Sequence, residues 1–324
     1  MKRLSKIFCI FILPLWVSAQ QMPQYTNYMI NYFALNPAAA GTPGCLMARV
    51  GYRTQWVGMQ SAPQTTIFTV QTDVNRQKKT WKSDKHGVGL KLENDVTGYN
   101  GPITKINMHA AYAYHKPIGT KKFLSFGIYA GIVQYDFKFD NIKLPETTFM
   151  DDPLTSGGAR RAVLYPDISP GVMYYTESGY IGYTARNVLR NKLKKIYGAG
   201  STGRLAIHHY LTMGRRFGRD DGFFSYIPSV NIKMAGHLPP SFDLTFMVDY
   251  RNLIDVGLQY RYIDGVNTII NLRLKNFQIG YSYDYNLSAV RYVSGNTHEL
   301  FFGYRYCVKD SPENVPKEHC PAYR

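Results

Sequence analysis

At 324 residues the chain can bury a large core or close a large barrel, and length alone allows two domains. Beyond the first residues no apolar run approaches the ~18 residues of a membrane helix, which excludes a helical span and leaves a transmembrane β-barrel open. The formal charge of +16 would suit nucleic acid in a cytoplasmic protein, but an exported chain meets acidic lipid headgroups or acidic partner surfaces instead.

Export is read from the first 19 residues. Lys2, Arg3 and Lys6 form a charged region, residues 7–15 an apolar one, and Val17-Ser18-Ala19 a small-residue cleavage site. The expected mature chain starts at Gln20, with a formal charge of +13 once those three basic residues are removed. The remaining expected divisions are an N-terminal periplasmic or plug segment at 20–45, a barrel at 46–306 and a periplasmic tail at 307–324.

The stretch after the leader has a helical period. Tyr25, Tyr28, Met29, Tyr32 and Phe33 fall at i, i+3, i+4, i+7 and i+8, which predicts a short helix with one aromatic stripe. Asn36-Pro37 ends it, because a residue before proline is pushed out of the α region. A free helix with that stripe would expose five large side chains to water, so the stripe is expected either to plug the barrel or to dock a partner.

From Leu46 the period changes to two. Phe277, Ile279, Tyr281, Tyr283 and Tyr285 share one face opposite Gln278, Gly280, Ser282 and Asp284, and the pattern recurs in Phe242–Tyr250, Ile254–Tyr262 and Leu300–Tyr306. About fourteen such segments are predicted, near 46–56, 63–74, 86–96, 102–114, 122–136, 168–177, 179–187, 205–217, 224–236, 241–250, 253–262, 267–274, 277–286 and 296–306. An even number closes an all-β, antiparallel, up-and-down transmembrane barrel with both ends on one side. Connections after even-numbered strands are short (Ser178, Arg251-Asn252, Lys275-Asn276), whereas those after odd-numbered strands include 137–167 and 188–204. Outer-membrane barrels sort their loops this way, with short turns facing the periplasm.

The chemistry-bearing residues select no reaction. His208-His209 sit on opposite faces of one strand and cannot share a metal. No phosphate loop, CxxC, GxSxG or HExxH is present, so neither cofactor nor catalysis is expected. Inward positions carry both signs of charge, at Arg49, Arg53, Asp73, Lys91, Glu93, Asp243, Asp249, Arg261, Arg273, Asp284, Glu299 and Arg305. Mixed signs favour a polar network that fills and stiffens the lumen over an ion-selective pore, which tends towards one sign per ring. The densest basic cluster, Arg76, Lys78, Lys79, Lys82 and Lys85 with Trp81, lies in the longest inner turn and could dock an acidic periplasmic partner. Of the three cysteines outside the leader, Cys307 and Cys320 could staple the tail. Cys45–Cys307 is the rival, because barrel closure sets the first strand's start beside the last strand's end.

PQYTNYMINYFALNPAAAG and the following YRTQWVGMQSAPQTTIFTVQTDV resemble the start of the PorP/SprF family of type IX secretion proteins. HGVGLKLENDVTG, HHYLTMGRRF and the closing IGYSYDYNLSAV and GNTHELFFGYRY fit the same family. The resemblance implies a non-enzymatic outer-membrane barrel of Bacteroidetes-type bacteria. Its implied partners are the periplasmic ring-forming lipoprotein components of the secretion and gliding machinery, and the C-terminal domain of a secreted substrate. The alternative function is a diffusive porin or solute transporter.

Overall fold

The computed structural model describes residues 24–59, 62–74, 83–98, 103–137, 161–192, 203–218, 222–236 and 238–307. Within them lie fourteen strands: β1 (Leu46–Thr54), β2 (Gln64–Asp73), β3 (Lys85–Thr97), β4 (Ile103–Gly119), β5 (Lys122–Phe137), β6 (Arg161–Thr176), β7 (Gly179–Arg186), β8 (His208–Arg215), β9 (Phe224–Ala235), β10 (Ser241–Tyr250), β11 (Ile254–Arg261), β12 (Gly265–Leu274), β13 (Phe277–Asn286) and β14 (Thr297–Tyr306). Each pairs antiparallel with its sequence neighbours, and β1 pairs β14 from Leu46↔Tyr306 to Thr54↔His298. The sheet therefore closes on itself and leaves no edge strand in a medium that offers no hydrogen bonds, with β6 before Gly171 laddered to β5 alone.

The period of two becomes a lipid face and a lumen face. Val50, Tyr52, Leu90, Leu92, Leu244, Phe246, Leu258, Ile270 and Phe302 point outward and are exposed, while Arg53, Lys91, Glu93, Asp243, Asp249, Arg261, Asp284 and Glu299 point inward and are buried. A water-soluble sandwich would reverse this order, so the exposed apolar band marks the protein as an outer-membrane barrel. Aromatic pairs sit near both rims: Phe242 stacks on Tyr262 at 4.7 Å at one end, and Phe224 packs on Tyr250 at 5.2 Å at the other. Such girdles are where barrels meet the headgroup layers.

The two ends differ. β4–β5, β6–β7 and β12–β13 are joined by two-residue connections, and the start of β1 and the end of β14 lie at that same short-turn end. The two longest connections, 138–160 and 187–207, join strands at the opposite, long-loop end. The excursion expected at 137–167 is shorter than the sequence suggests. β6 begins at Arg161, because the long β5 offers a pairing edge all the way to Phe137.

Two further expectations are corrected. The aromatic stripe does not form an α-helix: residues 28–31 make turns, followed by two three-residue 3-10 helices, Tyr32–Ala34 and Pro37–Ala39. The second is capped by Asn36, whose side-chain oxygen accepts from the Ala38 N–H at 2.9 Å. The disulfide joins Cys45 to Cys307, not Cys307 to Cys320. Closure pairs Leu46 with Tyr306, so the residues flanking that pair meet at the seam, and Cys320 lies outside the described residues.

Candidate functional site

The lumen holds the protein's own N-terminal segment. Gln24 sits at the long-loop end, where its side-chain oxygen accepts from Lys233 Nζ at 3.3 Å near the end of β9. The chain then runs down the axis to Cys45 at the short-turn end. Tyr25, Tyr28, Met29, Tyr32 and Phe33, the five residues of the sequence stripe, are all buried there, with Tyr32 and Phe33 at 0% exposure. The segment thus spans the barrel, from Gln24 beside Lys233 to Cys45 at the seam with Cys307.

Charge holds its upper part. The Glu299 carboxylate accepts from the backbone N–H of Thr26 at 3.0 Å and of Asn27 at 2.9 Å. The Thr26 hydroxyl donates to Asp284 at 2.6 Å and accepts from Arg53 at 2.9 Å and Arg261 at 3.1 Å. Arg53 in turn pairs with Asp284 and Glu299, both at 2.8 Å. Tyr25 donates to Glu93 at 2.5 Å, and Gln259 donates to the Thr26 carbonyl at 3.2 Å. These segment groups are buried where water cannot satisfy them, so each needs its wall partner.

Neutral contacts hold the middle and lower parts. Asn27 donates to Asn271 at 2.5 Å, and the Tyr28 hydroxyl lies 2.9 Å from Ser229 and 3.5 Å from Thr245. Thr69 donates to Asn31 at 3.1 Å, and Tyr32 is bonded to Thr212. Tyr129 donates to the Phe33 carbonyl, and Asn36 donates to the carbonyls of Val172 at 3.2 Å and Tyr183 at 3.4 Å. Below, Ser125 donates to the Ala38 carbonyl at 2.7 Å, His115 Nε2 lies 2.7 Å from the Ala40 carbonyl, and Gly41 N–H donates to Gln71 at 3.2 Å. Taken around the wall, these bonds come from all fourteen strands.

Glycines shape the seat. A Cβ on Gly87 would lie 1.9 Å from the Ala40 carbonyl oxygen, one on Gly89 2.4 Å from the Phe33 ring, and one on Gly127 2.3 Å from Ala38 N. One on Gly171 or Gly182 would strike Asn36 or Tyr32. The wall is thinned where the segment comes closest, which a lumen meant only for water does not require.

The remaining inward charges are mostly matched. Arg261 and Lys233 flank Asp243 at 3.1 and 3.0 Å, Arg216 meets Asp249 at 2.9 Å, and Arg273 bonds Asp255. Arg49 donates to Gln278 at 3.1 Å, and Lys91 Nζ lies 4.9 Å from the Tyr129 ring centroid. His208 points inward and His209 outward, where it meets Tyr183 at 2.7 Å, so the histidine pair is divided by the wall.

Of the basic docking cluster, Lys85 does not belong to an exposed surface. It is buried at the start of β3, with Nζ 3.9 Å from the Phe123 ring centroid. Arg76, Lys78, Lys79, Trp81 and Lys82 lie outside the described residues. Sequence reasoning missed Asn27 and Asn31, the polar residues interleaved with the stripe, and read Asn36 only as the stop before Pro37. Their spacing was the available signal, because an aromatic stripe seated in a polar lumen needs donors and acceptors on its other faces.

A family model described as type IX secretion system membrane protein PorP/SprF matches residues 17–304. No curated protein sequence matches the chain. Among solved structures, it is similar to the toluene transporter TbuX of Ralstonia pickettii, with 10% identity and a TM-score of 0.51 over 86% of this chain and 94% of that one. It is also similar to a FadL homologue of Pseudomonas aeruginosa, with 9% identity and a TM-score of 0.48 over 84% and 93%. At such identities the TbuX likeness speaks for the barrel fold alone.

Proposed function

Starting from the PorP/SprF family of type IX secretion system membrane proteins, to which this chain belongs, we propose that the protein is a non-enzymatic, non-conducting anchor for that machinery. The barrel fixes it in the outer membrane, and the N-terminal segment plugs the lumen. The short-turn face is then the periplasmic one, by the usual sorting of loop lengths. That face, with Arg76, Lys78, Lys79, Trp81 and Lys82 and the tail, docks the periplasmic ring lipoprotein complex. The loops of the opposite face, 138–160 and 188–204, hold the C-terminal domain of a secreted substrate.

The observation that carries the anchor over the diffusive porin is how the lumen's polar groups are used. Glu299, Asp284, Arg53, Arg261 and Gln259, which could line an aqueous path, are bonded to the segment. A porin keeps such groups facing water. The docking half is tested by reversing charge at Lys78, Lys79 and Lys82. Co-purification of periplasmic ring components and secretion should both fall while the barrel still assembles. Unchanged co-purification and secretion from an assembled barrel would remove the docking claim.

A further inference from the structure

Beyond the anchor reading, we infer that the chain preceding Gln24 leaves the barrel through a cleft at the long-loop mouth, which displays it on the same face as loop 188–204. Strand parity places the start of β1 at the short-turn end, and a sequence reader would place everything before it there too. The segment's direction reverses that. It enters the lumen from Cys45 and climbs the whole axis, so the polypeptide before Gln24 starts from the far mouth.

Three observations support the exit. Gln24 is only half-buried and is tied to Lys233, two residues before the end of β9. It forms one wall of a cavity of about 220 Å³ whose other walls include Trp56, Pro239, Tyr262, Asp264 and Asn286, all at or next to strand ends of the long-loop side. These walls mix aromatic, proline and hydrogen-bonding surface, which suits an extended peptide. The way back is filled: Tyr28, Tyr32 and Phe33 are at 0–1% exposure directly below, so a second passage of chain down the same lumen has no room. With cleavage after Ala19, the residues from Gln20 to Pro23 reach roughly 13 Å beyond Gln24, enough for a short surface peptide.

The test uses intact cells and two independent N-terminal probes in a Cys320→Ser background. One variant carries a short epitope inserted between Gln21 and Met22. The other is Gln21→Cys, labelled with a membrane-impermeant maleimide. Companion strains carry the same probes in loop 193–202 and in the Glu177-Ser178 turn. Both N-terminal probes should label together with the loop probe, within about twofold, while the turn probe labels only once the outer membrane is permeabilised. If the epitope blocks assembly, the single cysteine carries the test. N-terminal probes that label only under the conditions that reveal the turn probe would overturn the inference. Since the comparison is with the loop, an inverted barrel would refute the sidedness assumed for the anchor and leave this inference standing.

Discussion

Glu299→Ala should free the N-terminal segment from the top of the lumen. The carboxylate is 2% exposed and holds three donors: Thr26 N–H at 3.0 Å, Asn27 N–H at 2.9 Å and Arg53 Nη1 at 2.8 Å. Truncation orphans two buried backbone donors, each worth about 1–3 kcal/mol. It also breaks a buried ion pair, for which removal of one partner costs about 3–5 kcal/mol. That pair joins two wall residues, and Asp284 still faces Arg53 at 2.8 Å, so it stays out of the segment's docking; the two orphaned donors, at about 1.5 kcal/mol each, give about 3 kcal/mol. The ladders of β13 and β14 survive, so the loss falls on the segment's docking and not on the barrel. About 3 kcal/mol corresponds to an opening equilibrium on the order of 100-fold larger. Amide hydrogen exchange at Thr26 and Asn27 should accelerate by that order, while exchange along β14 stays near wild type. Glu299→Gln, which keeps one acceptor, should fall between. Wild-type exchange at Thr26 and Asn27 in the alanine variant would refute the reasoning, because it would mean that the clamp does not hold the segment.

Other perturbations address the seat and the seam. Gly127→Leu pushes a side chain into the backbone at Ala38 and Pro37, which lie 2.3 and 2.4 Å from the new Cβ. It should lower the temperature of the heat-induced gel shift, and combining it with deletion of residues 24–41 should abolish its extra cost; full additivity would argue against contact. Gly119→Ala, with its nearest neighbour at 3.6 Å, should be neutral in the same assay. Cys45→Ser removes a cross-link spanning 262 residues, worth ~5 kcal/mol in the chain-entropy model, so the gel shift should occur at lower temperature. Non-reducing peptide mapping of the wild type should recover Cys45 joined to Cys307, and recovery of Cys307 joined to Cys320 would contradict the seam.

The barrel was legible because every strand meets lipid on one face and a polar lumen on the other. Phe277–Asn286 alternates without interruption, and its expected bounds are those observed. Boundaries slipped where pairing, not pattern, extends a strand: β6 gains its first residues from the edge that β5 offers. The N-terminal stretch misled for a different reason. Its apolar residues recur every three or four positions, which is the mark of a helix packed on one surface. Inside a tube the surface surrounds the chain, so a turning, partly extended backbone sends Tyr25 to β3, Tyr28 to β9 and Tyr32 to β8. Its course along the axis was not readable from strand parity, which fixes only where β1 begins. The cysteine pairing was half legible, since closure put Cys45 and Cys307 together but could not rank that pair against a shorter loop.

Conductance in planar lipid bilayers tests the central claim that the lumen is closed by the protein's own N-terminal segment. The purified full-length protein should give a flat trace, and the variant lacking residues 24–41 should give steady, open conductance from an assembled barrel. Steady conductance from the full-length protein, equal to that of the deletion, would contradict a plugged anchor and restore the porin.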